Sequence, residues 1–250
     1  MPNILPGVDT NVFITGQPNW AAARDATSGT GVNNNSSILS VRTRSFLSDE
    51  VYRVFMAFDT SEITVAPSSA TLKLFGHNSD DAGLIVVKVD ASATGDSSTN
   101  FVAGDFQKIV GFSTGNSLAG NTTDYSSALG MGSWDHNDHN EITLNATALQ
   151  DMKDLSEFKI AILSYNYDYL NVLPGAAKTT NFRSMNVSAG QAAERPLISY
   201  VAGVAGDTPA QARNKRRRRR SKGARGRGFA SKNISVVTGG KTVANGFSED

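Results

Sequence analysis

The sharpest chemistry in this chain lies near its C-terminus. Lys215, then Arg216, Arg217, Arg218, Arg219 and Arg220, then Lys222, Arg225 and Arg227 form one basic run, interleaved with Gly223, Gly226 and Gly228. Each guanidinium is a planar fork that bonds carboxylates or phosphates in pairs, and five in succession repel one another too strongly to build a core. These residues are the expected partner-binding set. A flexible chain of this kind suits an acidic protein surface, and it also suits a phosphate backbone contacted without reading base sequence.

Other clusters resemble chemistry and lack a part of it. Gly239-Gly240-Lys241-Thr242 mimics the end of a phosphate-binding loop, but Ser235 stands where the first glycine belongs. Too few residues follow for the helix whose N-terminus would hold the phosphate. Trp134 to Glu141 gathers two histidines and three carboxylates on a polar stretch before a strand, which reads as a surface loop with no metal assigned. Three histidines in the whole chain and no Gly-x-Ser-x-Gly turn give no hydrolase triad. The chain therefore reads as non-enzymatic and without a cofactor. Tyr165, Tyr167 and Tyr169 would share one face if that stretch were extended, a row on which sugar rings stack. Tyrosines at a core edge or an interface give the same pattern.

Charge divides the 250 residues in two. Residues 1–212 carry 12 Lys and Arg against 21 Asp and Glu, a net of −9, whereas residues 213–250 carry 12 against 2, a net of +10. An acidic body thus bears a basic tail, which fits attachment to an acidic neighbour, a sister subunit or nucleic acid. The chain has no cysteine, so neither disulfides nor a thiol nucleophile enter. The N-terminal residues do not resemble a secretion signal, and no stretch approaches the roughly 20 apolar residues of a membrane helix.

The elements that must carry these residues are mostly strands. Tyr52, Val54, Met56 and Phe58 alternate with Arg53, Phe55, Ala57 and Asp59, and Ala70, Leu72 and Leu74 alternate with Thr71, Lys73 and Phe75. That period of two predicts strands with one face on a core. Pro67 and Ser68-Ser69 lie between them, too long a break for a two-residue hairpin, so the second strand pairs elsewhere or crosses to an opposite sheet. A short strand is predicted from Ile38 to Arg42. Leu84 to Val89 reads as a central strand, and Glu141–Asn145, Phe158–Tyr165 and Leu197–Val201 as further ones. Ala146 to Leu155 has helical spacing. Residues 91–133 are polar apart from Gln107 to Phe112, and a structureless loop of that length predicts an added strand or an ordering neighbour. The fold class expected is all-β: a jelly-roll-like β-sandwich with one short helix over residues 1–202. A linker follows at 203–212, then an Arg-rich segment at 213–233 and a docking segment at 234–250. In the last, Ile234–Thr238, Gly239-Gly240 and Lys241–Ala244 have the pattern of a β-hairpin.

Four pieces in order carry a family resemblance. Asp9-Thr10 comes first. Arg53-x-x-x-x-Phe58-Asp59-x-Ser61-x-Ile63 with Ala70-Thr71-Leu72-Lys73-Leu74 comes second. Trp134 with Ile142 to Thr147 is third, and Phe182-Arg183-Ser184 with Glu194-Arg195-Pro196-Leu197-Ile198-Ser199-Tyr200 is last. Together, over residues 8–202, they resemble the DNRLRE-type domains, β-sandwich modules related to a family of carbohydrate-binding modules. The resemblance implies the sandwich topology and, on its face, glycan contact. The chain as a whole implies a homo-oligomeric structural protein of a virus particle, a bacteriophage capsid-decorating (cement), connector or tail component. Its partners would be other virion proteins, it would be assembled in the host cytoplasm, and it would touch no membrane. A nucleic-acid-binding capsid protein with an arginine-rich arm is the third expectation.

Overall fold

The computed structural model describes residues 1–80, 83–130, 132 and 134–204. The basic run Lys215–Arg227, the docking segment 234–250 and nearly all of the linker lie outside the described residues, so those expectations rest on sequence.

Strand β2 (Val8–Gln17) pairs antiparallel with β5 (Ser48–Asp59) from Val8↔Ala57 to Gln17↔Asp49, and its other side holds the short β3 (Gly31–Asn33). The opposite side of β5 is shared. Its first half pairs with β4 (Ile38–Phe46) and its second half with β9 (Glu157–Ser164), beyond which lies β7 (Leu84–Lys88). β4 turns away to pair with β10 (Lys178–Arg183), which joins the end of β6 (Ser69–Ser79). The start of β6 lies between β8 (His139–Thr143) and β11 (Leu197–Val201), and β11 carries the two-residue β1 (Asn3–Ile4). The strands thus make one antiparallel sheet folded over on itself, an all-β, sandwich-like fold. As the long break around Pro67 predicts, β6 does not pair with β5.

Asn11 holds the corner where β4 leaves β5. Its amide donates to the Ser40 carbonyl (2.6 Å) and accepts from the Ser40 N–H (2.9 Å), standing in for a backbone partner. Both groups are thereby satisfied inside the protein, where an unpaired one would be costly.

The sheet encloses one core, in which Val54, Met56 and Phe58 of β5 meet Leu72 and Leu74 of β6, Phe158 and Ile160 of β9, and Phe182 of β10. Helix α2 (Ala146–Asp154) closes it with Ala148 and Met152, starting where the Asn145 side chain accepts from the Ala148 N–H. A second core lies on the outer side of the same layer. There Val51, Phe55 and Ala57 meet Val12, Ile85, Val87 and Leu163, and Phe101, Phe106, Ile109 and Leu118 cover them. β5 is therefore buried on both faces, which corrects the one-faced strand expected from alternation. The residues between the apolar ones were small, aromatic or, at Arg53, charged and paired.

The cover of the second core is the 91–133 stretch, and here too the expectation changes. Gln107–Phe112 forms no strand, and the stretch packs directly on its own sheet. It supplies its own apolar anchors, and it meets the sheet through single bridges, Ile109 to Val89, Asp124 to Val87 and Leu129 to Leu84. The Leu84–Val89 strand is buried as expected, but it is not central: among the described residues only β9 pairs with it regularly. A second short helix, α1 (Trp20–Arg24), was also unforeseen. Its cap is Asn19, which accepts from the Ala22 N–H. Among the described residues no helix is long and apolar enough to cross a membrane.

Asp9 stands 3% exposed on β2, accepting from the Met185 N–H at 2.7 Å. Burial outweighs that hydrogen bond and pushes its carboxyl up to about 6. The folded state therefore binds the proton more tightly than the unfolded state does. Its contribution is fully present below the ordinary carboxylate value of 3.8 and is lost as pH rises through about 6. Asp9→Asn, which keeps an oxygen for Met185, is expected to stabilise the protein at pH 8 by about 2–3 kcal/mol, with the gain fading towards pH 4. Chemical denaturation of both proteins at pH 4.5 and pH 8 measures this, and a variant less stable at pH 8 would contradict it.

Candidate functional site

The two ends of the sandwich differ in chemistry. At one end β4 ends, β5 begins and β9 ends. Phe46 and Leu47 form the tip of the β4–β5 hairpin, 66% and 96% exposed, and Leu47 has φ of 64°, which costs a branched residue about 1–2 kcal/mol. Val172 and Leu173 are also exposed at this end, and Trp20 donates from its indole N–H to the Asn171 side chain at 3.0 Å.

The tyrosines expected as a row lie here as well. Tyr165–Tyr169 closes as a π-helical turn directly after β9, with the Leu170 N–H donating to the Tyr165 carbonyl. An extended stretch would have aligned the three rings; the turn stacks Tyr165 on Tyr169 at 5.5 Å and leaves Tyr167 apart, half-buried. Tyr169 is 3% exposed, and its hydroxyl donates to Asp124 at 2.7 Å. Burial, then that hydrogen bond, pushes its phenol up to about 12. The single face does not form because the backbone is helical where the row would require an extended chain.

What fixes the turn is a buried charge cluster. Asp168 receives two parallel bonds from Arg53, Nε to Oδ2 at 2.7 Å and Nη2 to Oδ1 at 2.8 Å. Arg53 donates onward to the carbonyls of Phe106 and Arg24, while its guanidinium lies 4.0 Å from the Phe106 ring centre. Arg24, equally buried, donates to the Asp168 carbonyl and to Asp25. The cluster ties the tyrosine turn, α1 and the 106–116 loop to β5. Arg53 could be singled out in sequence, as the charged member of an apolar strand. Arg24 and Asp168, far apart in the chain, left no signal.

At the opposite end β5 finishes at Asp59, beside Glu157. A groove of about 510 Å³ there is lined by Lys88, Asp96, Tyr125, Asp154, Glu157 and Lys159, among others. Lys88 and the Tyr125 hydroxyl both donate to one oxygen of Asp151, at 2.8 and 2.6 Å. Burial and that carboxylate hold the Tyr125 proton far above the ordinary tyrosine range. Hydrogen bonds from Ser98 and Thr99 hold Asp96 down to about 2. Ionised carboxylates, engaged lysines and a protonated phenol supply charge and hydrogen bonds for binding, and the Tyr125 oxygen is no nucleophile in that state.

The Trp134–Glu141 loop is held by local bonds. His136 contacts the His77 carbonyl at 3.2 Å, His139 the Ala193 carbonyl at 2.9 Å, and Asn140 ties Leu74 to Asp135. Among the described residues no three His, Asp or Glu side chains converge as metal ligands.

No family model matches this chain, and no curated protein matches it. The residues that carry the DNRLRE resemblance have structural roles in the fold. Arg53 holds Asp168, Phe58, Ile63, Leu72, Leu74 and Phe182 fill the core, and the Asp59 carboxylate accepts from the N–H and hydroxyl of Ser61.

Proposed function

We propose that this chain is a structural protein of a virus particle, a capsid-decorating, connector or tail component, whose sandwich is a rigid knob and whose basic C-terminal segment fastens it to an acidic surface. The observation that carries this reading is the division of charge, −9 over residues 1–212 and +10 over 213–250. A long-range field of that polarity draws the tail of one molecule towards acidic protein surfaces and sets its orientation on arrival. A body with two packed cores supports the role of a knob that keeps its shape under load. The buried ring of Tyr169 weighs against a glycan row at 165–169.

Truncation after Ala212 is the test. The shortened chain is expected to keep the melting temperature of the body and to be missing from particles purified from cells that make the other particle proteins. Normal incorporation of the truncated chain would overturn the reading. Retention of the full chain that falls steeply with salt on naked nucleic acid, and not on the assembled particle, would turn it towards the nucleic-acid arm.

A further inference from the structure

A folded sheet has edges, and each of the edges described here except one is protected. β1 has two residues and β3 three, too short to template another strand. The outer side of β7 is covered: Leu84 and Leu129 exchange N–H to carbonyl bonds at 3.0 and 2.8 Å, and Lys88 donates to the Thr123 carbonyl at 2.9 Å. β8 is different. It runs five residues and, among the described residues, pairs with β6 alone.

The phase of that pairing is set by the Leu144 N–H, which donates to the Ala70 carbonyl at 3.0 Å. Backbone groups alternate sides along an antiparallel strand, so Ile142 and Asn140 also face β6, whereas the N–H and carbonyl groups of Glu141 and Thr143 point outward. Among the described residues nothing bonds them. Beside them runs a groove of about 290 Å³, lined by Ser127, Leu129, Glu141, Ile142, Thr143 and Leu144. Glu141 brings the one charge, and it is bridged to Lys73 at 2.5 Å. An uncharged, β-branched strand is the occupant this lining fits.

We propose that the β8 edge receives a strand from residues 234–238 of a second copy, extending the sheet from one subunit into the next. Ile234-Ser235-Val236-Val237-Thr238 is uncharged and β-branched at four positions, the composition of a strand, and a hairpin alone makes no stable sheet. The chain leaves the body at β11, whose Val201 pairs with Ser69, next to the residue of β6 that Leu144 bonds. From there residues 205–233 span on the order of 90 Å when extended, enough to reach a neighbour. The proposal rests on the particle reading, in which copies stand side by side and each edge meets a high local concentration of its neighbour's tail. Such a contact is head-to-tail, so it propagates around a ring or along a lattice.

The chain has no cysteine, which makes cross-linking clean. A Thr143→Cys full-length chain is mixed under mild oxidation with chains carrying a cysteine at one position from Ile234→Cys to Thr238→Cys. A disulfide-linked heterodimer is expected for at least one position, because paired strands bring Cα atoms to within about 5.5 Å. Ser61→Cys, on an exposed turn, is expected to give none in place of Thr143→Cys. Adding Thr143→Pro to the unsubstituted partner surface supplies the second measurement. The ring removes an outward N–H and leaves the β6 ladder intact, so association of full-length chains by sedimentation is expected to fall at least tenfold while the melting curve keeps its cooperativity. The proposal is overturned if no position cross-links, if a chain carrying both cysteines closes on itself as a monomer in preference, or if Thr143→Pro leaves association unchanged. Failure here with loss of incorporation on truncation would remove the edge and keep the particle reading; a cross-link with normal incorporation of the truncated chain would do the reverse.

Discussion

Replacing Asp168 by alanine is expected to destabilise the protein by about 3–5 kcal/mol, a large part of the 5–15 kcal/mol that holds a typical domain. The carboxylate sits against Arg53, and its backbone carbonyl takes the Nε proton of Arg24; all three residues are sealed from solvent. Without it the Nε and one Nη2 donor of Arg53 have no acceptor, and two buried guanidinium groups face each other with Asp25 as their remaining near anion. Breaking such a pair costs far more than the pair contributes over an apolar replacement, because the surviving charge keeps its desolvation penalty. The double change Arg53→Met with Asp168→Leu is therefore expected to cost less than the sum of the single changes, with a coupling of at least about 2 kcal/mol. Urea denaturation of the four proteins measures it. Additive losses, or a single-mutant loss below about 1 kcal/mol, would mean that water reaches the cluster and relieves it. The loss is expected to be felt first at the Tyr165–Tyr169 turn, which Asp168 anchors to β5.

Phe101→Ala is expected to cost about 3–5 kcal/mol as well, by a different route. Phe101 comes from the long 91–133 stretch, is fully buried, and meets Phe55 of β5 with ring centres 5.2 Å apart. Its removal leaves a cavity under a segment that has no ladder of its own, so the segment rather than the sheet yields. Hydrogen exchange is expected to quicken at Asp105, Phe106 and Lys108, whose N–H groups are bonded only within the stretch, and to change little across β5 and β9. Uniform acceleration throughout the sheet would show that the outer core is not a separable layer.

How much of this was legible beforehand can be followed residue by residue. The alternation at 52–58 and 70–75 announced β5 and β6, because a strand's side chains must alternate whatever they pack on. The apolar spacing of Leu149, Met152 and Leu155 announced α2, whereas its cap, Asn145, had read as the end of a strand. Phe101, Phe106, Ile109 and Leu118 were visible only as isolated apolar residues in polar surroundings, since a core built from single anchors has no period. The tyrosine row failed for a related reason: spacing by two is a face only in an extended chain, and the Leu170 to Tyr165 hydrogen bond makes this chain a π-helical turn.

Composition and order alone determined three things about this protein: that it is all-β over its first two hundred residues, that it has no thiol chemistry, and that its charge is segregated into an acidic body and a basic end. These are sums and periods over local residues, and they survive any tertiary arrangement. Only the folded chain decided which charges are buried, which sheet edge has no partner among the described residues and where the exposed apolar side chains gather. Each depends on residues distant in sequence meeting in space, as Arg24, Arg53 and Asp168 do, and the free energy that selects those meetings belongs to the assembled core and to no single stretch of it.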